Sequence, residues 1–197
     1  MRIIAGALRG RRLLSIKDPG LRPISGRIKQ SLFDILKPRV AGARFLDLFA
    51  GTGAVGLEAL SRGAAFVFFV DSNIRCRDLI ERNLERAELA SRGKVHPGSA
   101  LGDLSWIPFR SGVAQYDLIF MGPPYKTAEK RPLAYTNPVL KGLSEAGLLA
   151  PEGLVISQHH VKEAVEAPAG WELFRREKYG DTFLSFLRAR SAEQTTS

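Results

Sequence analysis

The chain has 197 residues, 45% of them hydrophobic and 25% charged, enough apolar material for one domain with a substantial core. No apolar run nears the roughly 20 residues of a membrane span, and the apolar stretch in the opening MRIIAGALRGRR is too short for a secretory signal, so no membrane partner is expected. A net charge of +9 favours a polyanionic partner, and a single cysteine, Cys76, a reducing, cytoplasmic setting.

Residues 2–16 read as a short β-hairpin, RIIAG and RRLLSI flanking a basic turn around Arg9-Gly10. Arg2, Arg9, Arg11, Arg12, Lys17, Arg22, Arg27 and Lys29 crowd the first thirty residues against one acid, Asp18. Charge so one-sided reads as a docking arm for nucleic acid. A helix follows from about Ser25 to Lys37, with Ile28, Leu32, Phe33, Ile35 and Leu36 at helical spacing and Pro38 closing it. Arg27, Lys29 and Gln30 fall on the opposite face. This segment lacks a core of its own and must pack against the main domain.

From residue 43 the pattern becomes strand, glycine turn, helix, strand. RFLDLF at 44–49 is an apolar run, GTGAVG occupies 51–56, and Val55 to Arg62 supports a helix. AFVFFV at 65–70 is a second buried strand that stops at Asp71. Ile74, Leu79, Ile80, Leu84 and Leu89 suit a helix, and Lys94–His96 a short third strand. YDLIFM at 116–121 is a fourth, ending at Pro123-Pro124; a helix near 137–146 and the strand Leu154–Gln158 continue the alternation. Alternating β and α elements predict a parallel sheet covered on both faces. The end differs: 171–178 and 182–190 are extended runs joined by Tyr179-Gly180-Asp181, an antiparallel hairpin. The polar SAEQTTS beyond it reads as a disordered tail.

The GxGxxG between a strand and a helix allows a tight turn and close approach of a ligand to backbone. Asp71 stands twenty residues after Gly51 at the end of the second strand, where a carboxylate can accept hydrogen bonds from both hydroxyls of a ribose. These features suit a dinucleotide as well as S-adenosylmethionine. Asp47 leans toward the latter, because a negative charge there could face a cationic amino-acid portion and would gain nothing from a pyrophosphate. A structural Asp bonding the turn's amides is the other reading, and the two roles can coexist.

Taken together, FLDLFAGTGAVGLEALSRGA, FVD at 69–71 and PPY at 123–125 resemble the RsmD family of 16S rRNA guanine-N2 methyltransferases. RIIAGALRGRRL resembles the family's N-terminal hairpin, LRPISGRIKQSLFDIL its helical motif beside the cofactor, and YGDTFLSFLRAR its closing hairpin. The resemblance covers nearly all of the chain. It implies an α/β, Rossmann-like class I methyltransferase fold: a mostly parallel seven-stranded sheet with an antiparallel C-terminal hairpin and an N-terminal extension. The implied organisation is an extension over 1–38, a methyltransferase domain over 39–190 and a tail over 191–197. The implied cofactor is S-adenosylmethionine, and the implied partner rRNA in a small-subunit assembly particle, with a monomer and no metal expected.

Carried over by position, Phe49, Ala50, Gly51, Thr52 and Gly53 hold the methionine portion of the cofactor, with Asp47 beneath them. Asp71 takes the ribose, with Ser72 and Asn73 beside it, and Ser99 and Ala100 flank the adenine. Pro123, Pro124 and Tyr125 form the target-base pocket. The arm residues Arg2, Arg9, Arg11, Arg12, Arg22, Arg27 and Lys29 meet RNA. Two positions depart from the family's pattern. Ser99 stands where Asp is usual, a mild change. Gly122 stands where Asp or Asn directly precedes PPY, and glycine has no side chain to accept the amine's hydrogens and aim its nitrogen. Either backbone groups suffice, another residue substitutes, or the chain is impaired; slow transfer is the expectation, with Gly122→Asp raising the rate by about one to two orders of magnitude. A non-catalytic cofactor- and rRNA-binding homologue is the alternative. A different exocyclic-amine target or a nicotinamide oxidoreductase is weaker, the last because nothing supplies its catalytic pair. His159, His160 and His96 have no ligand set around them, and Cys76, Trp106 and Trp171 suit packing; Tyr125 is the stacking candidate.

Overall fold

Central strands buried on both faces show as unbroken apolar runs, because neither face can afford polar side chains. In the structure, a computed structural model that describes residues 1–16, 24–125 and 134–190, these runs become β1 (Arg44–Leu48), β2 (Phe66–Asp71) and β4 (Tyr116–Met121), each followed by a turn and a helix or loop. Between and beyond them lie α1 (Gly26–Val40), α2 (Ala54–Ser61), α3 (Ile74–Arg86), β3 (Gly93–Pro97), α4 (Trp106–Ser111), α5 (Thr136–Glu145), β5 (Leu149–His160), β6 (Trp171–Tyr179) and β7 (Thr182–Ala189). The strands form one sheet in the order β3-β2-β1-β4-β5-β7-β6. Strands β1 to β5 pair in parallel, while β7 runs antiparallel to both β5 and β6.

Alternate residues of the central strands divide between two cores. Phe45, Leu118, Phe120 and Ile156 pack with α1, α2 and α3 on one face. Leu46, Leu48, Ile119, Met121 and Val155 pack with α4 and α5 on the other. The chain leaves β1 toward β2 and β3, then returns to β1's other side with β4. The crevice at the carboxyl ends of β1 and β4 is therefore the switch point at which such sheets take ligands.

The short hairpin over residues 2–16 forms, with the Arg2–Arg12 bridge and with Ile3 N–H donating to the Arg11 carbonyl at 3.0 Å, Gly10 N–H to the Ile3 carbonyl at 2.9 Å and Leu13 N–H to the Met1 carbonyl at 3.1 Å, but it does not stand alone. Other amides of the hairpin are engaged by α2: Ile4 and Ala5 N–H donate to the Glu58 carboxylate at 2.8 and 3.0 Å, and Ala7 N–H to the Ser61 carbonyl at 2.8 Å. The extension differs from its expected form in two ways. First, α1 does not close at Pro38 but runs to Val40. The hydrogen bond that proline forfeits lies with exposed Asp34, where water can replace it, while Val40 is buried. Second, Ile3, Leu13, Leu32, Phe33 and Leu36 share one core with the sheet, so the boundary expected at residue 38 falls inside a helix. Arg22 and the tail 191–197 lie outside the described residues. The six-residue α4 has no counterpart in the sequence reading, and Ile74, one of the apolar residues that predict α3, is 48% exposed at its start.

Candidate active site

A cavity of about 420 Å³ opens at the carboxyl ends of β1, β2 and β4. Its floor is the turn after β1. Phe49 holds a left-handed backbone, φ 57°, a costly conformation outside glycine. It is followed by Ala50 N–H donating to the Val70 carbonyl (3.1 Å) and Gly51 N–H to Asp71 Oδ2 (2.8 Å). Phe49, Ala50, Gly51 and Thr52 all line the cavity. Gly53 does not: it caps α2 with φ 72°, and a Cβ there would stand 2.9 Å from Ile80 Cγ1 in the core. Its glycine serves the turn and the packing beneath.

Asp71 stops β2 at the next wall. Besides Gly51 N–H, its carboxylate accepts Asn73 N–H at 2.9 Å, so one side chain braces the loops after β1 and β2. Ser72 and Asn73 line the cavity beside it. Below, Asp47 Oδ2 accepts the N–H of Gly56 in α2 at 2.9 Å. Asp47 is 1% exposed and yet lines the cavity. Burial pushes its carboxyl up to about 8, Gly56 N–H works against this, and the Asp71 charge adds to it. Such an acid holds its proton at neutral pH until a cation arrives. Both readings of Asp47 left open by the sequence thus have a structural basis.

After β3, Gly98, Ser99, Ala100 and Leu101 form a third wall. The Ser99 hydroxyl is folded onto its own turn, accepting Leu101 N–H at 3.0 Å. The fourth wall is the end of β4, with Gly122, Pro123, Pro124 and Tyr125 facing the same space. Gly122 has an ordinary backbone, and a Cβ on it would meet only the Phe120 ring edge, at 3.2 Å. The Tyr125 ring sits edge-on to His160, centroids 5.9 Å apart. Its hydroxyl accepts from Gln158 Nε2 at 3.0 Å.

Every cavity residue named from the sequence except Gly53 therefore meets at one place. The sequence reading missed Ile24, Phe120, Tyr135 and Gln158, which also line it. The available signal for Gln158 was its place, a polar residue ending the apolar run LVIS at a strand's carboxyl end.

The arm needs one correction. Arg2, Arg9, Arg11, Arg12 and Arg27 are exposed, but Lys29 is 2% exposed, its Nζ 3.0 Å from Glu58 Oε2 and 3.1 Å from the Arg2 carbonyl. A charge so enclosed cannot meet phosphate. Burial draws the Lys29 ammonium below its ordinary value against the pull of Glu58. For Glu58 burial acts upward, but Ile4 N–H, Lys29 and Arg62 outweigh it and hold the carboxyl below its usual range. This buried cluster fastens the arm to α2. The arm also reaches the cavity rim, where Thr52 Oγ1 donates to Met1 Sδ at 3.8 Å. Elsewhere, His159 is buried against Ser185 Oγ (2.8 Å), Cys76 and Trp171 are core, and Trp106 packs on His96.

Compared with known proteins, residues 1–188 match the family described as Conserved hypothetical protein 95. The Bacillus subtilis protein YlbH is 31% identical over 96% of this chain and all of its own length. The ribosomal RNA small subunit methyltransferase D of Escherichia coli is 32% identical over 91% of this chain and 85% of its own. The solved structure of the Escherichia coli protein YhhF superposes with a TM-score of 0.76 at 30% identity, covering 96% of this chain and 97% of that one. The chain belongs to this family, the RsmD family of methyltransferases.

Proposed function

We propose that this RsmD-family chain methylates the exocyclic N2 amine of a guanine in small-subunit rRNA, with S-adenosylmethionine as donor. The observation that carries the reading is a single cavity in which the glycine loop, the Asp71 carboxylate and the PPY turn face one another. Its volume lies within the range of small-molecule sites. Each Asp71 oxygen holds one backbone N–H and keeps lone pairs for ribose hydroxyls. Asp47, a buried acid lacking a cationic partner among the described residues, suits an ammonium. The residues present therefore fit the donor, whereas a pyrophosphate would face the Asp71 carboxylate and gain nothing from Asp47.

When bound, S-adenosylmethionine supplies a methyl on a sulfonium that departs as a thioether, so the acceptor nitrogen gains an N–C bond and sheds one proton to water. The chain's own contribution is to hold and aim. Phe49 to Thr52 fix backbone groups beneath the donor, and Ser99 and Ala100 close its adenine end. Pro123 and Pro124 stiffen the turn that presents Tyr125 for stacking on the base. Placing two reactants in line removes much of the entropic barrier to their encounter. The exposed arginines of the arm, whose first residue Met1 reaches the Thr52 rim, meet phosphates of the RNA.

The test is transfer of tritium from labelled S-adenosylmethionine to small-subunit particles that lack the modification, followed by nucleoside digestion. Label in N2-methylguanosine is expected. Label in another nucleoside, or tight binding of NADH with none of S-adenosylmethionine, would overturn the assignment.

A further inference from the structure

We propose that the amide oxygen of Gln158 accepts a hydrogen from the target amine and so supplies the acceptor that Gly122 lacks. The inference rests on the methyl-transfer reading above.

Register brings the two positions together. Strands β4 and β5 pair in parallel with Met121 opposite Ser157, so Gly122 and Gln158 are the next pair along. Side chains alternate across a sheet, which places Gly122 on the face of Phe120 and Gln158 on that of Ile156. Phe120 and Ile156 occupy the same core. A side chain at residue 122 would thus emerge beside Phe120, on the wall that Gln158 shares. Neighbouring strands lie about 4.8 Å apart, and glutamine's second methylene offsets part of that gap relative to an Asp or Asn at residue 122.

A chain of hydrogen bonds fixes which end of the amide is left over. Asp181 can only accept when ionised, and Thr182 Oγ1 donates to its Oδ1 at 3.3 Å. Thr182 in turn accepts from the Tyr125 hydroxyl at 3.5 Å, and Tyr125 accepts from Gln158 Nε2 at 3.0 Å. With each hydroxyl donating once, the amide presents its nitrogen to Tyr125 and keeps its oxygen. Among the described residues none donates to Gln158 Oε1, although the residue is 9% exposed and lines the cavity. The oxygen is left open to the cavity, where a donor that enters can reach it. The guanine amine is such a donor, and Tyr125, on which the base stacks, is the group that sets the amide. As the methyl arrives, positive charge grows on nitrogen and the bond to Oε1 strengthens, so its effect falls on turnover. The amide orients the amine and takes no proton.

The experiment measures methyl transfer by the full chain to small-subunit particles lacking the modification, beginning with the wild type. Absence of transfer there removes the functional reading and this inference together. With an active wild type, Gln158→Ala is expected to lower kcat by about 10–100-fold. The KM for particles, and cofactor affinity by calorimetry, should move less than threefold. Adding Gly122→Asp to Gln158→Ala should restore turnover, with a gain at least about tenfold larger than the same change produces in the wild type. Gln158→Met, which fills a similar volume without an acceptor, should behave as the alanine variant does and covers the case in which Ala leaves a void that unfolds the sheet. An unchanged kcat in the Met variant, a loss that Gly122→Asp does not relieve, or a loss matched by cofactor affinity would overturn the inference while leaving the functional reading in place.

Discussion

The turns after β1 and β4 stand side by side at the carboxyl ends of paired strands, yet they are built on different terms. The first works through its backbone: Phe49, Gly51 and Gly53 take positive φ, and amides are aimed by Asp71 and by the Ala50 carbonyl. Such a turn needs particular residues at particular places in the chain. The second has to provide one acceptor atom at one point in space. Any strand end that adjoins the point can provide it, and in the proposal above β5 does so in place of β4. A site made of backbone is therefore written locally in the sequence, while a site made of side chains can move to a neighbour without disturbing the fold.

Three measurements would sharpen or break this contrast. The largest effect is expected from Asp71→Ala, which removes the brace on both loops together with the proposed ribose acceptor. Ribose hydrogen bonds to a charged group, worth about 1.5–3 kcal/mol, imply about a 10–150-fold loss of cofactor affinity by calorimetry. A loss under threefold would mean that the loop holds its shape without the brace. Next comes the same small substitution at each turn. Gly53→Ala combines positive φ with a 2.9 Å approach to Ile80 and should cost about 1–3 kcal/mol of stability in denaturant titration. Gly122→Ala, with an ordinary φ and one ring edge to displace, should cost less than about 1 kcal/mol. Equal costs would erase the distinction between the turns.

The smallest effect concerns pH. Asp47, pushed up to about 8 by burial, is protonated in the free protein below that value. A bound ammonium favours the carboxylate, so binding releases a proton and affinity rises with pH. The rise is at most about tenfold from pH 6 to 7, below the range in which the ligand's own amine titrates. Asp47→Asn keeps an acceptor for Gly56 N–H and should flatten the slope. It should also remove a loss of folding stability as pH climbs from about 4 toward 8, since the native acid holds a proton that the unfolded one has released. A slope surviving in the Asn variant would assign the titration elsewhere.

Legibility in the sequence follows the same division. RFLDLF, AFVFFV and YDLIFM read as buried strands because both faces of a parallel sheet demand apolar side chains. GTGAVG and Asp71 read as a turn and its brace because they lie within one strand-turn-helix-strand unit. The arm was harder. Lys29 reads as solvated from its charge, but its spacing of three, four and seven residues from Leu32, Phe33 and Leu36 sets it on the buried side of α1, where the Arg2 carbonyl and Glu58, which is 29 positions away, enclose it. Helical periodicity gives the side on which a residue lies; it does not say that a carboxylate from another helix will meet a lysine there and permit its burial.

What the amino-acid order determined alone is whatever closes within one βαβ unit: the alternation of elements, the left-handed turn and the carboxylate at the end of β2. Propensity, steric limits on φ and short-range hydrogen bonds act between near neighbours, and they are the same in any context. What only the tertiary structure decided is whatever depends on strand partners brought together by long crossovers. Pairing β4 with β5 joins Gly122 to Gln158 across 36 positions, and the β6–β7 turn delivers Asp181 and Thr182 to Tyr125. Those contacts are set by the register of the sheet. Register is fixed by the burial of both faces along whole strands, so the strands' packing chose which residue stands beside Gly122 in the cavity.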